Sequence, residues 1–259
     1  MALLSPENFI KKQVAAVQEY SILSGTAIAD LFTRPRYWAD IYTQMDSIGV
    51  GSMPIVVLTG FFTGCVLALQ SATALQQFGA VSKTGTLVAR SMVKELGPVL
   101  TGLMVSGRNA SGMASEIGSM KVTEQIDAMR ALGTDPIRKL VTPRIVATIF
   151  MLFFLTIISD AVGIAGGALV SVNLMGLNAS SYLMDSYRTL IHGDVVQGLT
   201  KPLFSGFIIA TVGCFYGMRT SGGTQGVGRA TTQAVVVSSV FIIIVDFLVT
   251  RGMIGIFGS

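Results

Sequence analysis

At 259 residues, with 51% of them hydrophobic, only 12% charged and a formal net charge of +4, the chain cannot clothe itself in a water-soluble surface of ordinary charge density. A soluble fold is excluded, a bilayer is the expected solvent, and nucleic acid is not an expected partner. Residues 1–48 mix Lys11, Lys12, Glu19, Asp30, Arg34 and Arg36 with apolar Ile10, Val14 and Val17 at helical spacing, which predicts an amphipathic segment lying on the membrane rather than crossing it. Tyr37, Trp38 and Tyr42 follow as an aromatic cluster suited to headgroup level. A helix needs about 20 mostly apolar residues to cross the hydrocarbon core, and such stretches recur at 50–72, 85–107, 145–172, 202–218 and 232–250. The expected fold is an all-α integral membrane protein, with an interfacial segment over 1–48 and five transmembrane helices over 49–259.

The second stretch is unusual because it carries Arg90, Lys94, Glu95, Gly97 and Pro98, which are tolerable only on a helix facing protein or a water-filled cavity. Its Gly97-Pro98 pair should loosen or kink the helix. The connection 173–198 holds apolar Leu183, Tyr187, Leu190 and Ile191 among polar residues, which predicts short helices resting on the membrane surface. Lys and Arg concentrate in cytoplasmic loops. Lys11, Lys12, Arg34, Arg36, Lys121, Arg130, Arg138, Lys139, Arg144, Arg219 and Arg229 fall on one side, against Lys83, Arg188 and Arg251 on the other. The N-terminus and the 118–144 loop are therefore expected in the cytoplasm and the C-terminus outside. With neither a signal-peptide pattern nor a transit-peptide bias, the expected address is a bacterial inner or plasma membrane.

The most informative segment is 119–138, SMKVTEQIDAMRALGTDPIR. Val122, Ile126, Met129 and Leu132 form an apolar stripe on a predicted short helix, with Glu124, Asp127 and Arg130 on the rest. Gly133 and Asp135-Pro136 supply the stop. On pattern alone this is either a helix lying on the membrane or one that fits a groove of a cytoplasmic motor domain. Other features read as packing: Cys65 and Cys214 within apolar stretches, the pair Gly60 and Gly64, and the pair Gly112 and Gly118, whose small side chains permit close helix approach. The glycine-rich 221–229 lacks the ending of a P-loop and reads as a flexible turn. His192 is the sole histidine, so no metal site, catalytic centre or cofactor is expected.

The run ELGPVLTGLMVSGRNASGMASEIGSMKVTEQIDAMRALGTDPIRKLVTPR, residues 95–144, resembles the signature region of the MlaE family, permeases of Mce-associated ABC lipid transporters, and GVGRATTQAVVVSSVFIIIVDFLVT, residues 226–250, is similar to that family's last span. The resemblance implies a permease subunit moving phospholipid between inner and outer membranes, itself no enzyme, with ATP hydrolysed by separate cytoplasmic ABC subunits. It further implies a homodimer, a small STAS-domain protein and a hexameric MCE-domain protein on the outer face. Under it, Lys94, Glu95, Lys201 and Asp246 match positions that look onto the lipid cavity, with Leu67, Leu69 and Leu75 touching acyl chains. Val122, Glu124, Ile126, Asp127, Met129, Arg130 and Asp135 become the coupling segment. Lys94 and Glu95, as sequence neighbours, point in different directions on a helix and should pair across helices rather than with each other. Asp160 and Arg108 gain nothing from the resemblance and read as structural.

Two rivals follow from the same residues. One is a proton-coupled secondary transporter relaying through Glu95, Asp160 and Asp246, against which stands the lack of an inverted repeat. The other is a scaffold that only anchors partners, which the cost of so many intramembrane charges disfavours.

Overall fold

The computed structural model describes residues 6–31 and 37–257, and among them every regular element is helical. Arg34, Arg36 and the last two residues, like the side chains of Ile10 and Lys12, lie outside the described residues. Helix α1 (Pro6–Asp30) packs Leu23 and Ala27 inward, with Tyr20 Oη and Thr211 Oγ1 2.8 Å apart. It is further tied down by Glu19 to Arg219 at 3.3 Å and Asp30 to Arg138 at 2.8 Å. Val14 and Val17 of the predicted apolar face remain exposed, so the protein buries the opposite side of this helix.

Helix α2 (Trp38–Gln76) runs unbroken from the aromatic cluster through the first predicted span, so the division drawn at 48/49 falls inside one helix. Its buried residues Ser52, Val56, Gly60, Gly64, Ala68 and Ala72 recur every four positions, making a small-residue stripe along which α7 (Thr142–Asn173) lies. A Cβ at Gly64 would overlap the Gly163 carbonyl, and one at Gly60 would come within 2.8 Å of Ser159 Oγ. These glycines let two backbones touch, as their spacing predicts.

Residues 84–122 form one helical rod in five pieces: α3 (Thr84–Ser91), a π turn Met92–Leu96, α4 (Gly97–Val105), a π turn Ser106–Ala110 and α5 (Ser111–Val122). The break expected at Gly97-Pro98 takes the form of the first π turn. Pro98 has no amide hydrogen to return to the preceding turn, so the ladder is re-registered just upstream of it. Gly118 packs against Thr220, but nothing lies within 4 Å of a Cβ at Gly112. The close approach expected of both glycines is therefore confined to Gly118, because Gly112 faces away from the bundle.

The predicted single helix over 119–138 is divided. Glu124, in the left-handed region at φ 60°, turns the chain between α5 and α6 (Gln125–Ala131), and Gly133 at φ 76° ends the second piece as its position suggested. Because the bend reorients the helix, the apolar stripe splits: Ile126 is fully buried and Met129 packs on the core, while Val122 and Leu132 are exposed. Helix α8 (Ala179–Thr189) lies in the connection where short helices were expected, with Asn178 capping the amide of Ser180 at 2.9 Å. Helix α9 (His192–Met218) starts ten residues before the predicted span, and α10 (Gly223–Phe257) absorbs most of 221–229, leaving Ser221 and Gly222 as the turn.

Among the described residues, four helices are long and apolar enough to cross a membrane: Trp38–Gln76, Ile137–Asn173, His192–Met218 and Gly223–Gly255. The 84–122 rod is as long as any of them, but its charges and π turns set it apart.

Candidate functional site

The first turns of α9, the π turn Met92–Leu96 and the far end of α10 meet around one ammonium group. Lys201 is 2% exposed. Its Nζ lies 2.9 Å from Asp246 Oδ1 of α10 and donates to Glu95 Oε2. Gln197 Nε2 donates to Glu95 Oε1 at 3.1 Å, and Thr250 Oγ1 reaches the same carboxylate at 3.3 Å. Side chains from two other helices, α9 and α10, thus converge on Glu95, whose side chain remains 38% exposed while Lys201 is enclosed. One lysine faces two carboxylates, so the fully ionised cluster carries a surplus negative charge.

Lys94 is turned to a different partner. Its Nζ is 3.3 Å from Asp194 Oδ1, and Arg90 Nε, one helical turn earlier, is 3.3 Å from Asp194 Oδ2. Asp194 is buried at 5% exposure, so two cations neutralise one enclosed carboxylate. Lys94 and Glu95 both pair across to α9 and not with each other.

Beside Glu95, Leu96 forms one edge of an apolar groove of about 500 Å³ whose other wall is α2, including Leu58, Phe62, Val66 and Leu67. Leu67 also packs against the buried group of Ala68, Val88 and Met92. Leu69 is exposed and Leu75 half-buried, and neither lines this groove. Asp160 is buried against Gly97, and its Oδ1 has no hydrogen-bond partner among the described residues.

Sequence reasoning missed Asp194, Gln197 and Thr250. The signal was present: Asp194, Gln197 and Lys201 are spaced i, i+3, i+7 on one face of α9, and Thr250 is one turn beyond Asp246. Because the apolar stretch begins only at position 202, the turns before it read as part of the connection between spans, where short surface helices are expected, and not as the start of the fourth span.

At the other end of the rod, the residues proposed for coupling are together but not alike. Ile126 is enclosed, Glu124 exposed at the left-handed corner, and Asp127 accepts from Lys121 at 2.9 Å with Arg130 at 3.3 Å. The Lys121 hydrogen bond holds the Asp127 carboxyl below its ordinary range. Asp135 Oδ1 accepts the Ile137 amide at 2.9 Å, capping the π turn Ile137–Val141. Arg144, buried at 5% exposure, links this base to α5 through Glu116 at 2.6 Å.

Among the known proteins that this sequence resembles, several are named as permeases. The chain is 44% identical over 253 residues to the "Probable ABC transporter permease protein" of Rickettsia bellii, covering 96% of this chain and 98% of that one. It is 36% identical over 213 residues to the "Intermembrane phospholipid transport system permease protein MlaE" of Haemophilus influenzae, covering 82% of each. It is 34% identical over 246 residues to "Protein TRIGALACTOSYLDIACYLGLYCEROL 1, chloroplastic" of Arabidopsis thaliana, covering 95% of this chain and 69% of that one. The family profile "Permease MlaE" matches residues 41–251, a region that contains the charge cluster, the apolar groove and the α5–α6 corner, and the chain therefore belongs to the MlaE family of permeases.

Proposed function

We propose that the chain is the membrane subunit of an ABC transporter that moves phospholipid between inner and outer membranes, holding the lipid at the Glu95, Lys201 and Asp246 cluster with its acyl chains along the groove beside Leu67 and Leu96. The observation that carries this reading is the joining of a half-exposed carboxylate on an enclosed lysine to an apolar groove through adjacent residues of one π turn. An amphiphile needs both surfaces side by side. In this reading the 84–122 rod is a fifth membrane crossing, tolerated because its charges face protein or a cavity. The N-terminus and α6 lie in the cytoplasm and the C-terminus lies outside. Two copies of the chain enclose the lipid, cytoplasmic ATPases and a STAS-domain protein sit below, and an MCE-domain hexamer receives or delivers lipid above. The relative of Haemophilus influenzae, named for phospholipid transport, supports the choice of cargo.

Energy enters at the α5–α6 corner, since the sequence carries no P-loop ending. The test is a cell-level one. Glu95→Gln and Asp246→Asn each leave Lys201 one carboxylate, so both variants should be expressed and folded like the wild type while failing to maintain the outer-membrane lipid barrier. Full barrier function in both would remove the cluster from the transport path.

A further inference from the structure

We propose that Arg108 binds the phosphate of a phospholipid headgroup, at a second position on the 84–122 rod nearer to α6 than the Glu95 cluster. This rests on the lipid-permease reading above and adds a site to it. Arg108 sits in the π turn Ser106–Ala110. It is exposed, and it has no ion-pair partner among the described residues. Its neighbour Asn109 turns inward and donates to Ser52 Oγ at 3.1 Å, pinning the rod to α2. That leaves the Arg108 guanidinium lying over Gly51, where a Cβ would come within 2.5 Å of Nη2 and 3.2 Å of Cζ. Gly51, in the fourth turn of α2, thus leaves room for this cation.

The surroundings of Arg108 point to a headgroup. From 107 to 119 the exposed residues of the rod are Gly107, Arg108, Gly112, Ser115, Glu116 and Ser119, with no apolar side chain among them. The exposed faces of α2 and α10, by contrast, present residues such as Phe62, Val66, Val240 and Phe247. A polar stripe of that length on a membrane protein cannot face acyl chains. Its carboxylate, Glu116, is taken by Arg144 at 2.6 Å, so Arg108 is the uncommitted charge on the stripe. A guanidinium left without a counter-ion at the end of a membrane span attracts an anion. The anion that a bilayer supplies there is a lipid phosphate, which a guanidinium can bind through two parallel hydrogen bonds. Arg108 follows Glu95 by thirteen residues, about 20 Å at the helical rise, which is too far for one headgroup to touch both. The rod then carries two headgroup positions at different depths.

The test uses the full-length protein in mild detergent, incubated with micelles containing phosphatidylglycerol, with retained lipid measured by mass spectrometry and oligomeric state by light scattering on the same samples. Arg108→Gln should lower phosphatidylglycerol retention about twofold, one of the two headgroup positions being lost, Arg108→Lys should lower it less, and Gly51→Ala should give an intermediate loss by displacing the guanidinium. The oligomeric state should not change, and 10 mM inorganic phosphate, roughly ten-thousandfold above a micromolar lipid site, should not displace the lipid. Wild-type retention by Arg108→Gln overturns the proposal. So does loss of the oligomer in that variant, which would pair Arg108 with a second copy of the chain, and so does displacement by inorganic phosphate, which would make the site one for the free anion. A wild-type protein that retains no phospholipid would defeat the permease reading itself, a result distinct from a mutant that binds normally.

Discussion

Enclosing Lys201 to 2% exposure takes an ammonium ion out of water, and the two carboxylates beside it offset that cost unequally when one is removed. Lys201→Ala leaves the half-exposed Glu95 and the more enclosed Asp246 facing each other without a cation, and stranding partly buried charge in this way costs about 2–3 kcal/mol, below the figure for a fully buried pair. Asp246→Asn leaves a neutral Lys201 and Glu95 pair and should cost under about 1 kcal/mol. Thermal unfolding in detergent should therefore separate the two variants clearly, and equal destabilisation would mean that Asp246 is a structural counter-ion. A second contrast concerns glycine. Gly64 admits no Cβ because the Gly163 carbonyl occupies the space, whereas nothing lies within 4 Å of a Cβ at Gly25 in α1. Gly64→Val should cost about 3 kcal/mol or more, since a backbone neighbour cannot give way, and Gly25→Ala should stabilise by about 0.5–1 kcal/mol through helix propensity. The same melting measurement reads both. The sequence made Lys94, Glu95, Lys201 and Asp246 conspicuous because ionised groups in apolar stretches are rare. It did not distinguish them: Lys94 is committed to Asp194, while Arg108, which resembled a packing residue, is left without an ion pair.

At the scale of the element, hydropathy located the long helices well, because a run of apolar residues needs no partner to be recognised. It failed where helix and apolar run do not coincide. The first ten residues of α9 mix polar and apolar side chains and read as a connection with short surface helices, yet they continue directly into the span and carry Asp194, Gln197 and Lys201 inward. The π turns left no composition signal beyond Pro98, and the division of 119–138 depends on one left-handed residue, Glu124, a conformation that side chains seldom adopt. That corner is where the proposed coupling is tested. Replacing Glu124 and Asp127 with lysine reverses the exposed charge of α6 without touching buried Ile126. It should abolish copurification of the ATPase subunits while the membrane subunit stays folded, and normal copurification would reduce α6 to a surface helix. The corner also has a pH dependence. Hydrogen bonding to Lys121 lowers the Asp127 pKa in the folded chain, so its contribution is present above the unfolded value and is lost as pH falls through the folded one. Amide protection in α6, taken relative to the intrinsic exchange rate at each pH, should therefore fall only below about pH 4, the ordinary carboxylate range, and a fall near pH 6 would contradict the pairing.

For the whole molecule, the apolar surfaces of α2 and α10 are uncovered in a single chain, with Leu58, Phe62, Phe247 and Leu248 among the exposed side chains. Lipid and, in the proposed dimer, a second copy would cover them. The proposed orientation follows from the Lys and Arg count and is checked with single cysteines in a background lacking Cys65 and Cys214. Ala131→Cys should be labelled only from the cytoplasm and Gly255→Cys only from outside, and the reverse pattern would invert the topology. The claim on which the rest depends is that phospholipid occupies the groove beside the charge cluster. A photo-crosslinking amino acid placed at Leu67 in growing cells, with the same group at exposed Leu132 as control, tests it directly by mass spectrometry of the digested protein. A phospholipid adduct is expected at position 67 and none at 132, with the adduct lost on Glu95→Gln. Equal adducts at both positions, or none at position 67, would contradict it.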